Sequence, residues 1–258
     1  MTAQITTRAT IQQLLDDFEF ADLSPQIHSN MPNWNSHPIV SVVNDARSHL
    51  KDGYFCQLLV MPEHTGSHVD APHHVHADLP EKTIDAYPGN VLIRPAKKVD
   101  ARSLDLQPGE LLDLENFQRL AAAQAVEIHE DDVALVQFGY DRYLDESAYT
   151  SPVDYHWWAG NEPGFAEDLC AWLRDQKVRA VGTDTSGADA AVVNDVITAQ
   201  FGHTTYFLPN DILIIEGLVG LSGVPSEFLF LAIPLNISHG SGSPLRVMGA
   251  FPRSKQPA

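Results

Sequence analysis

Cysteine is scarce in this chain, basic residues are outnumbered, and long apolar runs are missing. Its two cysteines, Cys56 and Cys170, leave no room for a disulfide framework, and without a C-x-x-C pair they argue against a zinc–thiolate or redox motif. Both lie among apolar neighbours, in YFCQLLV and DLCAWL, and read as buried free thiols. Only 16 lysines and arginines face 34 acidic residues, a formal charge of -18 that would repel nucleic-acid phosphates and anionic membranes. A small molecule or a metal cation is the expected partner. No run approaches the ~18 apolar residues of a membrane span. The first 20 residues also lack a signal-peptide core and cleavage site, so a soluble cytoplasmic protein is expected. Absent too are a G-x-S-x-G elbow, an H-E-x-x-H helix and a G-x-x-x-x-G-K-[ST] phosphate loop, and GLVGLSG has the wrong spacing for a dinucleotide fingerprint. With no repeat, low-complexity tract or linker, 258 residues read as one domain with a full core.

What is present is a mixed pattern richer in strands than in helices. TIQQLLDDFEFADL spaces Leu14, Leu15 and Phe18 as a helix does, ending in a turn at Asp22, Ser24 and Pro25. IVSVV, GYFCQLLVM, VLIRPAKKVD and VEIHEDDVALVQFGYDRY are strand-like; LLDLENFQRLAAAQA and FAEDLCAWLRDQK are helical. Strands return in VRAVGTD, DILIIEGLV, FLFLAIPLNI and PLRVMGAF, while YTSPVDYHWWAGNEPG reads as a long aromatic loop. The expected class is α/β with a mixed, strand-rich sheet and flanking helices.

One stretch stands apart. HTGSHVDAPHH, residues 64–74, holds four histidines and an aspartate, and Pro62, Gly66 and Pro72 rule against a helix there. On an extended chain His64, His68, Asp70 and His74 would project to one side, with Gly66 leaving space between imidazoles, and His73 and His76 to the other. Two imidazoles and a carboxylate suit a borderline transition metal such as Zn²⁺, Mn²⁺ or Fe²⁺. Downstream, Glu216 interrupts the apolar strand DILIIEGLV. A buried carboxylate there must be neutral, paired or metal-bound, and a metal is the preferred reading. His203, thirteen residues earlier, can reach the same site if the chain turns at Pro209 and Asn210.

These residues resemble the metal-dependent cyclase-like hydrolase family, which includes bacterial kynurenine formamidases and isatin hydrolases. Its H-x-G-T-H-x-D-x-P-x-H signature runs here from His64 to His74, with serine at position 67 for the usual threonine. DLSPQIHSNMPNW, VRAVGTDTSGAD, DILIIEGLVGL and IPLNISHGSGSPLRVMGAF are similar to family blocks. The resemblance implies a swivelling β/β/α-type fold over residues 1–258, with residues 1–20 as a helical extension, in a homodimer or larger homo-oligomer. It makes His64, His68 and Asp70 metal ligands and His74 the catalytic histidine, and it matches Glu216 to a further ligand. The family's later histidine falls twelve residues before that glutamate, at Thr204 here, so either the loop carries one extra residue or the second metal position is altered. The isatin hydrolase branch holds one Mn²⁺ and lacks the glutamate, which leaves one or two ions open.

The chemistry that follows is hydrolysis of an amide, imide or lactone by a metal-activated water. His74 would be the proton carrier, a role suited to an imidazole whose pKa lies near working pH, with Glu216 able to share it. Trp34, Phe55, Tyr155, Trp157 and Trp158 lie in segments that the resemblance places near the site and could hold a flat aromatic ring. Asp184 reads as a turn residue or as support behind the ligands. Aryl formamides such as N-formylkynurenine lead as substrates, with a cyclic amide such as isatin next. A structural metal-binding module without catalysis is the non-enzyme alternative.

Overall fold

A computed structural model describes residues 7–144 and 157–253; Tyr155 lies outside the described residues. Nine strands form one mixed sheet in the order Phe18–Asp22, Met248–Pro252, Glu227–Ala232, Leu92–Asp100, Val133–Gln137, Ala180–Thr183, Leu213–Glu216, His68–Asp70 and Gly242–Pro244. The four strands from Leu92–Asp100 to Leu213–Glu216 run parallel to one another, and every other pairing is antiparallel. That centre is covered on both faces, which is why VALVQ, AVGT and LIIE are almost wholly apolar rather than alternating. Ala134, Val136, Val181 and Ile214 enter one core, and Val133, Leu135, Ala180, Leu213 and Ile215 the other.

Two helices pack on the first core. Leu114–Ala123 starts at Asp113, whose side chain accepts from Asn116 N at 2.8 Å, and buries Phe117, Leu120 and Ala121 at i, i+3 and i+4. Glu167–Asp175 buries Leu169, Cys170 and Leu173. Among the described residues no helix is long and apolar enough to cross a membrane.

Several local expectations are corrected. The N-terminal helix, Thr7–Asp17, stops before Phe18, and FEFAD joins the sheet edge beside Met248–Pro252. Cys170 is a buried free thiol, but Cys56 is exposed. It sits in a separate hairpin of Ser41–Arg47 and Cys56–Val60, outside the main sheet. Leu58 and Leu59 point to opposite faces of this hairpin and are 53% and 51% exposed, so neither face has a core beneath it. Asp184, by contrast, is a turn residue as expected: buried, it accepts N–H bonds from Phe138, Gly139 and Tyr140 at 2.8, 2.6 and 3.1 Å.

Candidate metal centre

The site lies where the Leu213–Glu216 and His68–Asp70 strands run side by side. Their antiparallel register pairs Glu216 with His68 and Ile214 with Asp70. His68 and Asp70, two apart on a strand, project together. His64 and His74 arrive differently from the extended-chain expectation, because only three residues are strand and Pro72–His74 is a 3-10 turn. Gly66 is also explained differently. Its φ of +61 forms the bend before the strand, and a Cβ there would meet Met31 and Pro25 rather than the imidazoles.

At the centre is Asp70, 1% exposed. Its Oδ1 lies 2.6 Å from His64 Nδ1 and 3.6 Å from His68 Nε2, and its Oδ2 lies 3.3 Å from His203 Nε2. Glu216 faces it, with Oε2 3.1 Å from His68 Nε2 and Oε1 3.4 Å from His203 Nε2. Tetrahedral ligands about 2.0–2.1 Å from a zinc ion stand about 3.3 Å from one another, so the contacts of 3.1–3.6 Å have the spacing of donors that could share a cation, whereas the 2.6 Å contact of His64 with Asp70 is a hydrogen bond. Asp70 Oδ2 and Glu216 Oε1 are buried with no hydrogen-bond donor, a costly state that a cation would relieve. The residues fit a metal.

His203 enters this cage, while Thr204 is exposed and bonds Gln200 O at 2.6 Å. The reason is local: Gly202–Tyr206 is a π-helical turn, which takes up one residue more than an α-helical turn does. It is thus His203, and not Thr204, that the turn brings to Asp70 and Glu216. The turn Leu208–Asn210 then carries the chain into the Glu216 strand.

Electrostatics follow from crowding. Burial pulls the His68 imidazole down, but the Glu216 hydrogen bond and the Asp70 charge outweigh it and lift the pKa to about 9. His203 is raised well above its ordinary value against burial, chiefly by Asp189. Burial pushes Asp70 up, yet the charge of His64 and the hydrogen bonds from His203 and His64 hold it well below the usual carboxylate range. Burial takes His74 the other way, to about 4, with His64 and His203 adding to the fall. The expectation of a pKa near working pH is therefore corrected for His74, which is neutral at pH 7.

A cavity of about 280 Å³ opens beside these groups. Trp34, His37, His64, His68, His74, Trp158, His203 and Glu216 line it. Phe55 does not: it is exposed on the hairpin and stacks on His49. Trp157 packs instead against Tyr140 and Tyr143. Trp34 and Trp158 are the tryptophans that face the cavity.

Four supporting groups were not singled out in the sequence, although Asp189 and Ser241 lie in segments similar to family blocks. His37 lies with its ring centroid 5.7 Å from that of His64. Asp189, fully buried, accepts from His203 Nδ1 at 2.6 Å and from Gly202 N at 2.6 Å, turning Nε2 of that ring inward. Glu162 accepts from Ser186 N and Oγ at 2.7 and 3.0 Å behind the cavity wall, and burial raises its pKa well above normal. Ser241 contacts His64 Nε2 at 2.9 Å. Separations of 14 and 177 residues link Asp189 and Ser241 to their histidines, beyond any local pattern.

Over 236 residues the chain is 23% identical to the isatin hydrolase of Roseibium aggregatum, covering 90% of this chain and 86% of that one. It is 26% identical over 190 residues to the kynurenine formamidase of Bordetella avium, covering 74% and 78%. A crystal structure of an isatin hydrolase bound to the product analogue thioisatinate matches with a TM-score of 0.81 at 22% identity, over 98% of this chain and 100% of that one, and so shares the fold. The family described as "Putative cyclase" matches residues 21–190, well over half of the sequence, and the chain belongs to this cyclase family.

Proposed function

We propose that this cyclase-family protein is a metal-dependent hydrolase cleaving the carbon–nitrogen amide bond of a small aromatic substrate, with aryl formamides such as N-formylkynurenine the leading class. The observation that carries the reading is Asp70, whose two oxygens face three imidazoles at 2.6–3.6 Å inside a buried cage. His64, His68 and Asp70, joined by Glu216 and His203, would hold Zn²⁺ or Mn²⁺, one ion or two. Bound there, such an ion supplies an activated water and polarises the substrate carbonyl.

The chain's own side chains do the rest. His74 is neutral and lines the cavity, so it can accept the water's proton and return it to the leaving nitrogen. Glu216 is the second group able to move a proton there. Trp34 and Trp158 offer apolar walls to a flat ring. The size of the cavity, about 280 Å³, favours a compact ring system, which makes opening of a cyclic amide such as isatin the second reading.

Metal analysis, combined with assays on aryl formamides, isatin and related lactams before and after chelation, tests both readings. Turnover should vanish on chelation and return with Zn²⁺ or Mn²⁺. Equal rates in chelated and metal-loaded samples would remove the proposal, and the preferred substrate separates amide cleavage from ring opening.

The same reading includes a homo-oligomer in the cytoplasm, where unpaired Cys56 and Cys170 suit a reducing compartment. An isolated two-stranded hairpin is marginal in water, and this one exposes Val43, Tyr54, Phe55, Leu58, Leu59 and Val60 together. A second copy of the chain is the cover we propose. Sedimentation should give a dimer or larger for the native protein and a monomer for Leu58→Glu/Leu59→Glu; a monomeric native protein rejects the assignment.

A further inference from the structure

We propose that Ser241, held by Glu63, is a positioning residue that decides which nitrogen of His64 faces the metal position. This rests on the reading of His64 as a ligand. Glu63 Oε2 accepts from the backbone N–H of Ser241 at 2.8 Å and from its hydroxyl at 2.6 Å. With that hydroxyl proton committed to a carboxylate, Ser241 Oγ has only lone pairs for its other contact, His64 Nε2 at 2.9 Å. Nε2 must then carry the proton. Nδ1 turns inward and hydrogen-bonds Asp70 Oδ1 at 2.6 Å, and the proton of that bond is the one a bound cation would displace.

The neighbouring rings are fixed the opposite way. His68 Nδ1 donates to Gly66 O at 2.8 Å and His203 Nδ1 to Asp189 Oδ1 at 2.6 Å, so each presents Nε2 to the centre. His64 is the reversed ring of the three, and it is the one whose outer partner is a serine.

Backbone completes the clamp. Gly242 follows Ser241 and pairs across the sheet with Asp70. A Cβ at Gly242 would stand 2.5 Å from His64 Cε1 and 3.0 Å from Nδ1, so bare backbone lies against the inward edge of the ring. Turning the imidazole over would give up the Ser241 bond and the Asp70 contact, putting ring carbons where the two nitrogens now stand. Because Glu63 adjoins His64 in sequence, the chain from Glu63 to Ser241 to His64 closes on itself and holds the ring from both ends.

Outer partners of metal-bound histidines typically change metal affinity about 10–100-fold. Ser241→Ala should therefore weaken zinc binding by about that factor, measured by competition with a chromophoric chelator, while Ser241→Thr, which keeps the hydroxyl, stays near the native value. Imidazole ¹⁵N spectra of the zinc-loaded protein supply a readout that general loosening would not move. The native protein should show His64 protonated at Nε2 with zinc perturbing Nδ1, and Ser241→Ala should populate both tautomers. Unchanged zinc affinity in Ser241→Ala, or zinc perturbing Nε2 of His64 in the native protein, overturns the proposal alone. Zinc that perturbs neither nitrogen of His64 overturns the ligand reading and this inference with it.

Discussion

Asp70→Asn is expected to strip the metal from the site and to lower hydrolysis by about 10³-fold or more, since a catalytic metal contributes several kcal/mol and each ~1.4 kcal/mol is tenfold. Asparagine keeps the volume and one carbonyl oxygen, so the loss would be electrostatic rather than steric. Three imidazoles point at this carboxylate within 3.6 Å, and without it only Glu216, and Asp189 behind His203, are left to face them. The metal-free variant should therefore also be less stable in urea, by about 3–5 kcal/mol, the usual consequence of removing one partner from a buried ionic cluster. The two effects separate by experiment: metal content follows from elemental analysis and stability from denaturation of chelated samples. A variant that retained stoichiometric metal and native turnover would place the cation elsewhere.

The difference between what the sequence discloses and what it hides has physical causes. Val133–Gln137 and Leu213–Glu216 are legible because strands covered on both faces must be almost continuously apolar, and Glu216 stands out because it breaks such a run. The histidine cluster is legible from composition, since Pro62, Gly66 and Pro72 exclude the helix that would otherwise explain the spacing. The hairpin is not legible, as CQLLV has the composition of a core strand whether a core or a second chain covers it. Phe55 is misjudged for the same reason: an aromatic close in sequence to the ligands is carried away by the hairpin. The choice of His203 over Thr204 depends on a π-turn, and a one-residue change of winding leaves no mark on hydrophobic periodicity. The roles of Asp189, Glu63 and Ser241 are hidden for a third reason. Polar residues in loops gain meaning only when folding brings an imidazole to them.

His74→Ala is expected to lower kcat by about 10²–10⁴-fold, the range for loss of a general acid–base group, while metal content and KM stay close to native. Geometry makes this the sharpest division within the site, because His74 admits two roles. Its ring centroid lies 4.0 Å from that of His64, and with His64 and Asp70 it forms a set of donors close enough to hold an ion. His68, Asp70 and Glu216 form another. If His74 were a ligand, its removal would cost metal as well as rate. Three observations favour the proton carrier. His74 lies on the cavity wall and is less buried than His64, His68 or His203, as a group that must meet substrate should be. Among the described residues neither of its ring nitrogens has a hydrogen-bonded partner to fix a tautomer, unlike the three rings held by Ser241, Gly66 and Asp189. Its pKa, drawn to about 4 by burial, leaves it unprotonated at neutral pH, so kcat/KM of the native enzyme should show no acid limb from His74 above about pH 5. Partial recovery of His74→Ala by added imidazole, with metal content unchanged, would match a missing proton carrier. Loss of metal in step with activity would make His74 a ligand and pass the proton transfer to Glu216.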